Sequence, residues 1–211
     1  MSIALMTFDI FGTVVDWRRG LSEAVPGGLT DAQFEAVIDR QGALEGGRFR
    51  PYAELVAQSL VDVLGLNAVL AARIGAEAGR WPIFPDSAEA LRRLQAVAPC
   101  MATTNSDRAH GEDVQAQLGF RLSFWLSAEE ARAYKPSRAM WVAASRKTGV
   151  PFSKDWWHVS AYADYDLKVA AELGLTTVLV KRPHHRPGPA DLVVPDLSAL
   201  NGDTLNFPFR K

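Results

Sequence analysis

From residue 81 onward, short apolar runs alternate with stretches of helical periodicity, and this alternation restricts the fold more than anything else in the chain. Residues 98–103, 122–126, 156–160 and 176–180 read as strands, with a last short one at 192–194. Between them, residues 107–118, 137–148 and 167–173 carry helical spacing. Such alternation predicts a parallel sheet covered by helices on both faces. One further apolar run, residues 3–8, precedes a long stretch without strand signals. There, residues 21–25 form a short amphipathic piece. Thr30 and Asp31 look like caps for a helix that runs past Leu44 to a break at Gly46-Gly47. Residues 52–64 form a third helix, and Asn67 caps a fourth that runs to about Gly79. Trp81-Pro82-Ile83-Phe84-Pro85 closes the block, and Asp86-Ser87 start a helix through Leu91 and Leu94. The predicted architecture is an α/β fold: a Rossmann-like parallel-sheet core with an all-helical cap inserted after the first strand. Residues 1–14 and 81–211 make the core, and residues 15–80 the cap.

Composition narrows the function classes. A chain of 211 residues holds one well-cored domain, or a core with a smaller insert. The net charge near -1 gives no field drawing it to nucleic acid or to an anionic membrane. Cys100 is the one cysteine, so no internal disulfide forms, and a reducing compartment, the cytoplasm, is the expectation. No signal peptide or membrane-spanning run is read. Gly-x-Ser-x-Gly and Walker motifs are absent. His184-His185, among Lys181, Arg182 and Arg186, reads as a basic surface loop without enough ligands for a metal.

In open α/β sheets, ligands bind beyond the carboxyl ends of the strands, so those ends are where chemistry is sought. Asp9 ends the first apolar run and enters the turn Ile10-Phe11-Gly12-Thr13. It is either a covalent nucleophile or an aspartate that caps its turn. Thr104-Asn105-Ser106 either hold an anion or start the helix that follows. Lys135, in Tyr134-Lys135-Pro136-Ser137, either neutralises a nucleophile or is a solvated loop lysine. Asp166 either orients Lys135 or is a first-turn acid favourable to its helix, and Asp164 competes for the same role. Arg40, beside Gln41, either closes over an anion or lies on the surface.

Taken in order, these segments resemble the haloacid dehalogenase superfamily, over nearly the whole chain from Phe8 to about Val180. The resemblance rests on Phe8-Asp9-Ile10-Phe11-Gly12-Thr13-Val14-Val15-Asp16, then Thr104-Asn105, then Lys135-Pro136, then residues 160–166, with a helical insert after the first motif. Phosphatases of the superfamily carry a second aspartate where this chain has Phe11. They also carry a Gly-Asp pair where it has Ser160-Ala161. The sequence is therefore more similar to the L-2-haloacid dehalogenase branch, which needs neither acid and no metal or other cofactor. That resemblance implies Asp9 as nucleophile, Thr13 positioning it, Lys135 balancing charge, Ser160 orienting Lys135, and Asp166 holding Lys135 and preparing water. It implies Arg40 and Asn105 on the departing halide and Thr104 on the substrate carboxylate. Phe11, Tyr162, Tyr165 and Trp141 would line the pocket. Phe11 stands where the branch commonly has Tyr, Tyr162 where it has Asn or His, and Trp141 where it has Tyr. The fourth motif is one residue longer than in many dehalogenases. The implied partners are a small haloacid and a second copy of the chain in a homodimer, with no nucleic acid or membrane. A phosphatase with relocated metal ligands, using Asp164, and a degenerate protein that binds a small carboxylate are the alternatives.

Overall fold

The computed structural model describes residues 3–46 and 49–205. Six parallel strands form one sheet among these residues: β1 (Leu5–Phe8), β2 (Cys100–Thr104), β3 (Phe124–Ser127), β4 (Trp156–Ser160), β5 (Thr176–Val180) and β6 (Leu192–Val194). Their order is β3-β2-β1-β4-β5-β6, so the winding reverses at β1, between β2 and β4. A crevice opens at such a reversal, beyond the carboxyl ends of the strands. The register lines those ends up, with Phe8 beside Ala102 on one flank and Val159 on the other.

β1, β2, β4 and β5 are buried along their whole length, which is why they read as unbroken apolar or β-branched runs. Some of the polar side chains inside them pair with one another: Trp156 Nε1 donates to Thr7 Oγ1 at 2.9 Å, and that oxygen lies 2.9 Å from His158 Nδ1. Strand β6 is one edge, opposite β3, and is short with Val193 half exposed.

Helices follow the strands up to β4 as expected, with differences at their ends, and β5 leads to β6 without one. α1 (Trp17–Ala24), α2 (Asp31–Glu45), α3 (Tyr52–Leu64) and α4 (Ala68–Ala76) fill the interval after β1, and a short 3-10 turn, Ala78–Arg80, ends it. Thr30 and Gln33 form a reciprocal capping box at the start of α2. Gly46 ends that helix, and Gly47 lies outside the described residues. The helices pack through Phe34, Val37, Val56, Leu60 and Ile74, all nearly inaccessible. Their outgoing and returning segments run side by side: Val15 and Ile83 form an antiparallel bridge, Asp16 N–H donates to Pro82 O at 2.7 Å, and Phe84 N–H donates to Val14 O at 2.9 Å. The sheet is covered by α5 (Ser87–Gln95), α6 (Arg108–Leu118), the one-turn α7 (Ala128–Ala131), which the sequence reading missed, and α8 (Arg138–Thr148). The helix expected at 167–173 is α9 (Lys168–Glu172), and a π-turn, Ala163–Leu167, precedes it. A last helix, α10 (Gly202–Leu205), ends the described chain. Among the described residues no helix is long and apolar enough to cross a membrane.

Candidate active site

Asp9 follows β1 directly and is 4% exposed. The turn after it depends on Gly12, whose φ of +91° is costly for any residue with a Cβ. A Cβ there would also collide with the Tyr162 hydroxyl. This turn brings Thr13 back under the carboxylate. Its Oγ1 donates to Asp9 Oδ2 at 2.7 Å and accepts from Ala161 N–H at 2.9 Å, which ties the turn to the end of β4.

Lys135 is 1% exposed, and its Nζ donates to both Asp9 Oδ1 and Asp166 Oδ2 at 2.8 Å. Asn105 holds the backbone on which it sits: Lys135 N–H donates to Asn105 Oδ1 at 2.6 Å, and Asn105 Nδ2 donates to Lys135 O at 3.1 Å. Three buried charges therefore share one small volume. Burial raises the Asp9 carboxyl above its ordinary value, against the opposing pull of Lys135. Burial also disfavours the Lys135 ammonium, but Asp166 and Asp9 outweigh it and raise its pKa. For Asp166, burial is outweighed by Lys135 and then by His158, whose Nε2 lies 3.2 Å from Asp166 Oδ2, so this carboxyl is held below the ordinary range. Asp166 therefore keeps its charge more readily than an ordinary aspartate, and its fully buried Oδ1 has no protein partner.

Asp166, not Asp164, pairs with Lys135. Asp164 is half exposed and 3.7 Å from Arg186. The π-turn explains how. Both Asp166 and Leu167 N–H donate to Tyr162 O at 3.2 Å, so one extra residue is absorbed in a wider loop while Asp166 still faces Lys135.

A cavity of about 290 Å³ opens in front of Asp9, between the strand ends and α2. That is at the small end for ligand pockets and suits a compact substrate. Phe11, Thr104, Asn105, Tyr162 and Tyr165 line it, as the sequence reading placed them. Four expectations need correction. Arg40 is on the opposite side of α2 from Ile38, Gln41 and Glu45, which face the cavity; it pairs instead with Asp62 of α3 at 2.6 Å. Trp141 is fully buried beneath the sheet, edge-on to His158 at 4.6 Å between ring centres, and touches no part of the cavity. Ser160 Oγ accepts from Tyr162 N–H at 3.1 Å and is not bonded to Lys135, whose partners are the two carboxylates. The supposed basic surface loop is not all surface: Arg182 is 7% exposed and Arg186 lines the cavity.

Glu45, Gln41, Tyr52, Trp17 and Arg186 also line the cavity and escaped the sequence reading. The spacing Ile38, Gln41, Glu45 was the signal available for α2, since positions three and four apart share a helix face. Loss of hydration pushes the Glu45 carboxyl up to about 8, although Asn105 and Lys135 pull it down.

The group does not fit a magnesium ion. Mg²⁺ takes several oxygen ligands. Here Asp9 gives one oxygen to Lys135 and the other to Thr13, Phe11 and Ala161 supply no oxygen ligand from their side chains, and Asp166, with one oxygen on Lys135, leaves a single free carboxylate oxygen. Among the described residues no cluster of three or more His, Cys, Asp or Glu side chains is placed to hold a metal.

A family model described as haloacid dehalogenase-like hydrolase matches residues 3–174. No curated protein matches the chain significantly. Among solved structures, the L-2-haloacid dehalogenase PA0810 is 28% identical, with 94% of this chain and 98% of that one covered and a TM-score of 0.77. The L-2-haloacid dehalogenase from Xanthobacter autotrophicus, solved with chloropropionic acid covalently bound, is 18% identical, with 95% and 97% covered and a TM-score of 0.79. YfnB from Bacillus subtilis, described as a HAD-hydrolase bound to magnesium, is 14% identical, with 98% and 100% covered and a TM-score of 0.80. The last two share the fold, and because one of them binds magnesium, the fold alone does not choose the chemistry.

Proposed function

The chain belongs to the haloacid dehalogenase-like hydrolases, and on that premise we propose that it is a metal-independent 2-haloacid dehalogenase acting on small L-2-haloalkanoates and haloacetates. The observation that carries this reading is Asp9 held by Lys135 and Thr13, with Phe11 and Ala161 where a metal-dependent relative needs acids. In this reading residues 15–80 act as a cap over the core formed by residues 1–14 and 81–211.

An oxygen of Asp9 attacks the carbon bearing the halogen from the side opposite the halide. The carbon–halogen bond breaks, halide leaves with the electron pair, and the carbon is inverted while an aspartyl ester forms. Water then adds to the carboxyl carbon of Asp9, and the ester breaks to give the D-2-hydroxy acid and free carboxylate. Thr104 and Asn105 bind the substrate carboxylate and halide from the β2 side. Lys135 lowers the repulsion between Asp9 and an anionic substrate. Asp166, its carboxyl held below the ordinary range and its Oδ1 free of protein partners, orients the attacking water, one of whose protons ends on the product hydroxyl while the other is released to solvent. The cavity volume supports a substrate of a few heavy atoms. A homodimer and a cytoplasmic location belong to the same proposal.

The test is halide release from L- and D-2-chloropropionate, chloroacetate and fluoroacetate in EDTA, for the wild type and Asp9→Asn. Release from L-2-chloropropionate but not its D isomer, and from chloroacetate, lost in Asp9→Asn, is expected. A single turnover in H₂¹⁸O with enzyme in excess should put the label in the Asp9 peptide and not in the hydroxy acid. Label in the product would overturn the ester pathway, and turnover only with Mg²⁺ would overturn the proposal.

A further inference from the structure

Resting on the dehalogenase reading, we propose that Arg186 is the residue that receives the anion in this pocket, and that Glu35 and Asp39 of α2 hold it back until an anion arrives. An anionic substrate facing an anionic nucleophile needs a cation on its open side. Lys135 lies behind Asp9, engaged by two carboxylates. Arg40 points away to Asp62. Among the described residues, Arg186 is the only cationic side chain that lines the cavity in front of Asp9.

Its placement is built in, not incidental. The backbone of Arg186 is fastened to the end of β4 on both sides: its N–H donates to Ala161 O at 2.9 Å and its carbonyl accepts from Ala163 N–H at 2.9 Å. The strand order puts Thr104 and Asn105 on the β2 side of Asp9 and Arg186 on the β4 side. An anion in front of Asp9 is thus flanked by neutral donors on one side and a guanidinium on the other. The side chain is one-third exposed and bonds to Asp39 Oδ1 at 2.8 Å and Glu35 Oε2 at 3.3 Å, with Asp164 at 3.7 Å. Both α2 acids are substantially exposed, so water competes for them and the pairs are weak. A carboxylate or halide inside the cavity, where water is scarcer, is a better partner for a planar guanidinium. Binding would therefore trade contacts to α2 for contacts to the ligand.

The experiment titrates chloride and, separately, D-lactate into the protein while following tryptophan fluorescence, with Trp17→Phe as the control that isolates the signal of the cavity-lining Trp17, together with halide-release kinetics. Arg186→Met is expected to weaken at least one anion tenfold or more and to raise KM more than it lowers kcat. Loss for lactate alone assigns the carboxylate, loss for chloride alone the halide. The double variant Glu35→Gln/Asp39→Asn should tighten binding severalfold, which a merely structural role for Arg186 does not predict. Arg40→Met should bind as the wild type does. Wild-type anion affinities in Arg186→Met, or loss of them in Arg40→Met, would overturn the proposal and leave the dehalogenase reading standing. Anion binding that depends on Arg186 in a protein that releases no halide would sink the dehalogenase reading and keep the anion site.

Discussion

At the scale of single residues, Glu45 makes the sharpest claim. Its carboxyl titrates near 8, so at neutral pH it is mostly uncharged, and above that it adds a negative charge to a cavity that already holds Asp9. Raising the pH therefore introduces repulsion against an anionic substrate. At an effective dielectric of about 20, unit charges about 6 Å apart repel by about 2.8 kcal/mol, roughly a hundredfold in KM. KM for chloroacetate should climb by this order between pH 7 and 9.5, and Glu45→Gln should flatten the climb. A wild-type KM that is level across the range would refute it. Asp9 works in the other direction: its raised pKa means that activity is lost on acidification sooner than for an ordinary aspartate. Asp9 was legible because it directly follows β1, while Thr13, Lys135 and Asp166, which lie in turns beyond strands, were legible only through their order along the chain, and Asp164 stayed a rival for Asp166. Arg40 and Trp141 were misread because their residue types match a pocket while helical rotation and depth decide where each side chain goes. Glu45 was hidden because its unusual acidity comes from burial, which the residue type does not reveal.

At the scale of elements, α3 borrows its N-terminal cap from across the molecule. Pro51 precedes the helix and offers no side-chain acceptor. Asp107, at the start of α6, supplies both oxygens, accepting from Tyr52 N–H at 2.7 Å and Ala53 N–H at 2.9 Å. Tyr52 in turn donates its hydroxyl to Gln41 at 2.9 Å and walls the cavity, so a cap residue in the core sets the shape of the pocket. Asp107→Ala should cost about 1–2 kcal/mol in urea unfolding and raise KM, while Asp107→Asn, keeping one acceptor, should recover about half. An unchanged unfolding midpoint for the alanine variant would refute this. The bounds of α3, β4, β5 and β6 were readable to the residue, since caps, glycines and abrupt changes in polarity mark them. β2 starts later than its apolar run, just past Pro99, which has no N–H to donate to a ladder. The π-turn was signalled only by length, one residue more than the related motif, with nothing local to say whether the excess would loop out or widen the helix.

At the scale of the whole molecule, Arg182 fastens parts of the chain that are far apart in sequence. It grips both oxygens of Asp86 at 2.8 and 2.9 Å, and its Nε donates to Thr13 O at 3.0 Å. Asp86 Oδ2 also accepts from Leu197 N–H at 2.8 Å. The turn after Asp9, the return from the helical block and the segment after β6 thus meet at one nearly buried ion pair. Arg182→Met leaves Asp86 without its charge partner and should cost about 3–5 kcal/mol, a fall in Tm of roughly 10 °C. Arg182→Lys should rescue only part, because an ammonium does not make the forked contact. A melting curve unmoved by either change would show the knot to be idle. Below this knot the Val15–Ile83 bridge has a different implication. Because the chain leaves the sheet and comes back at neighbouring points, everything between is a detachable loop in the topological sense, and the length of such a loop weighs only logarithmically on stability. Helices could be lengthened, shuffled or exchanged there by recombination without shifting any strand. A lineage carrying this scaffold can therefore change what enters the crevice while leaving the groups that react with it untouched.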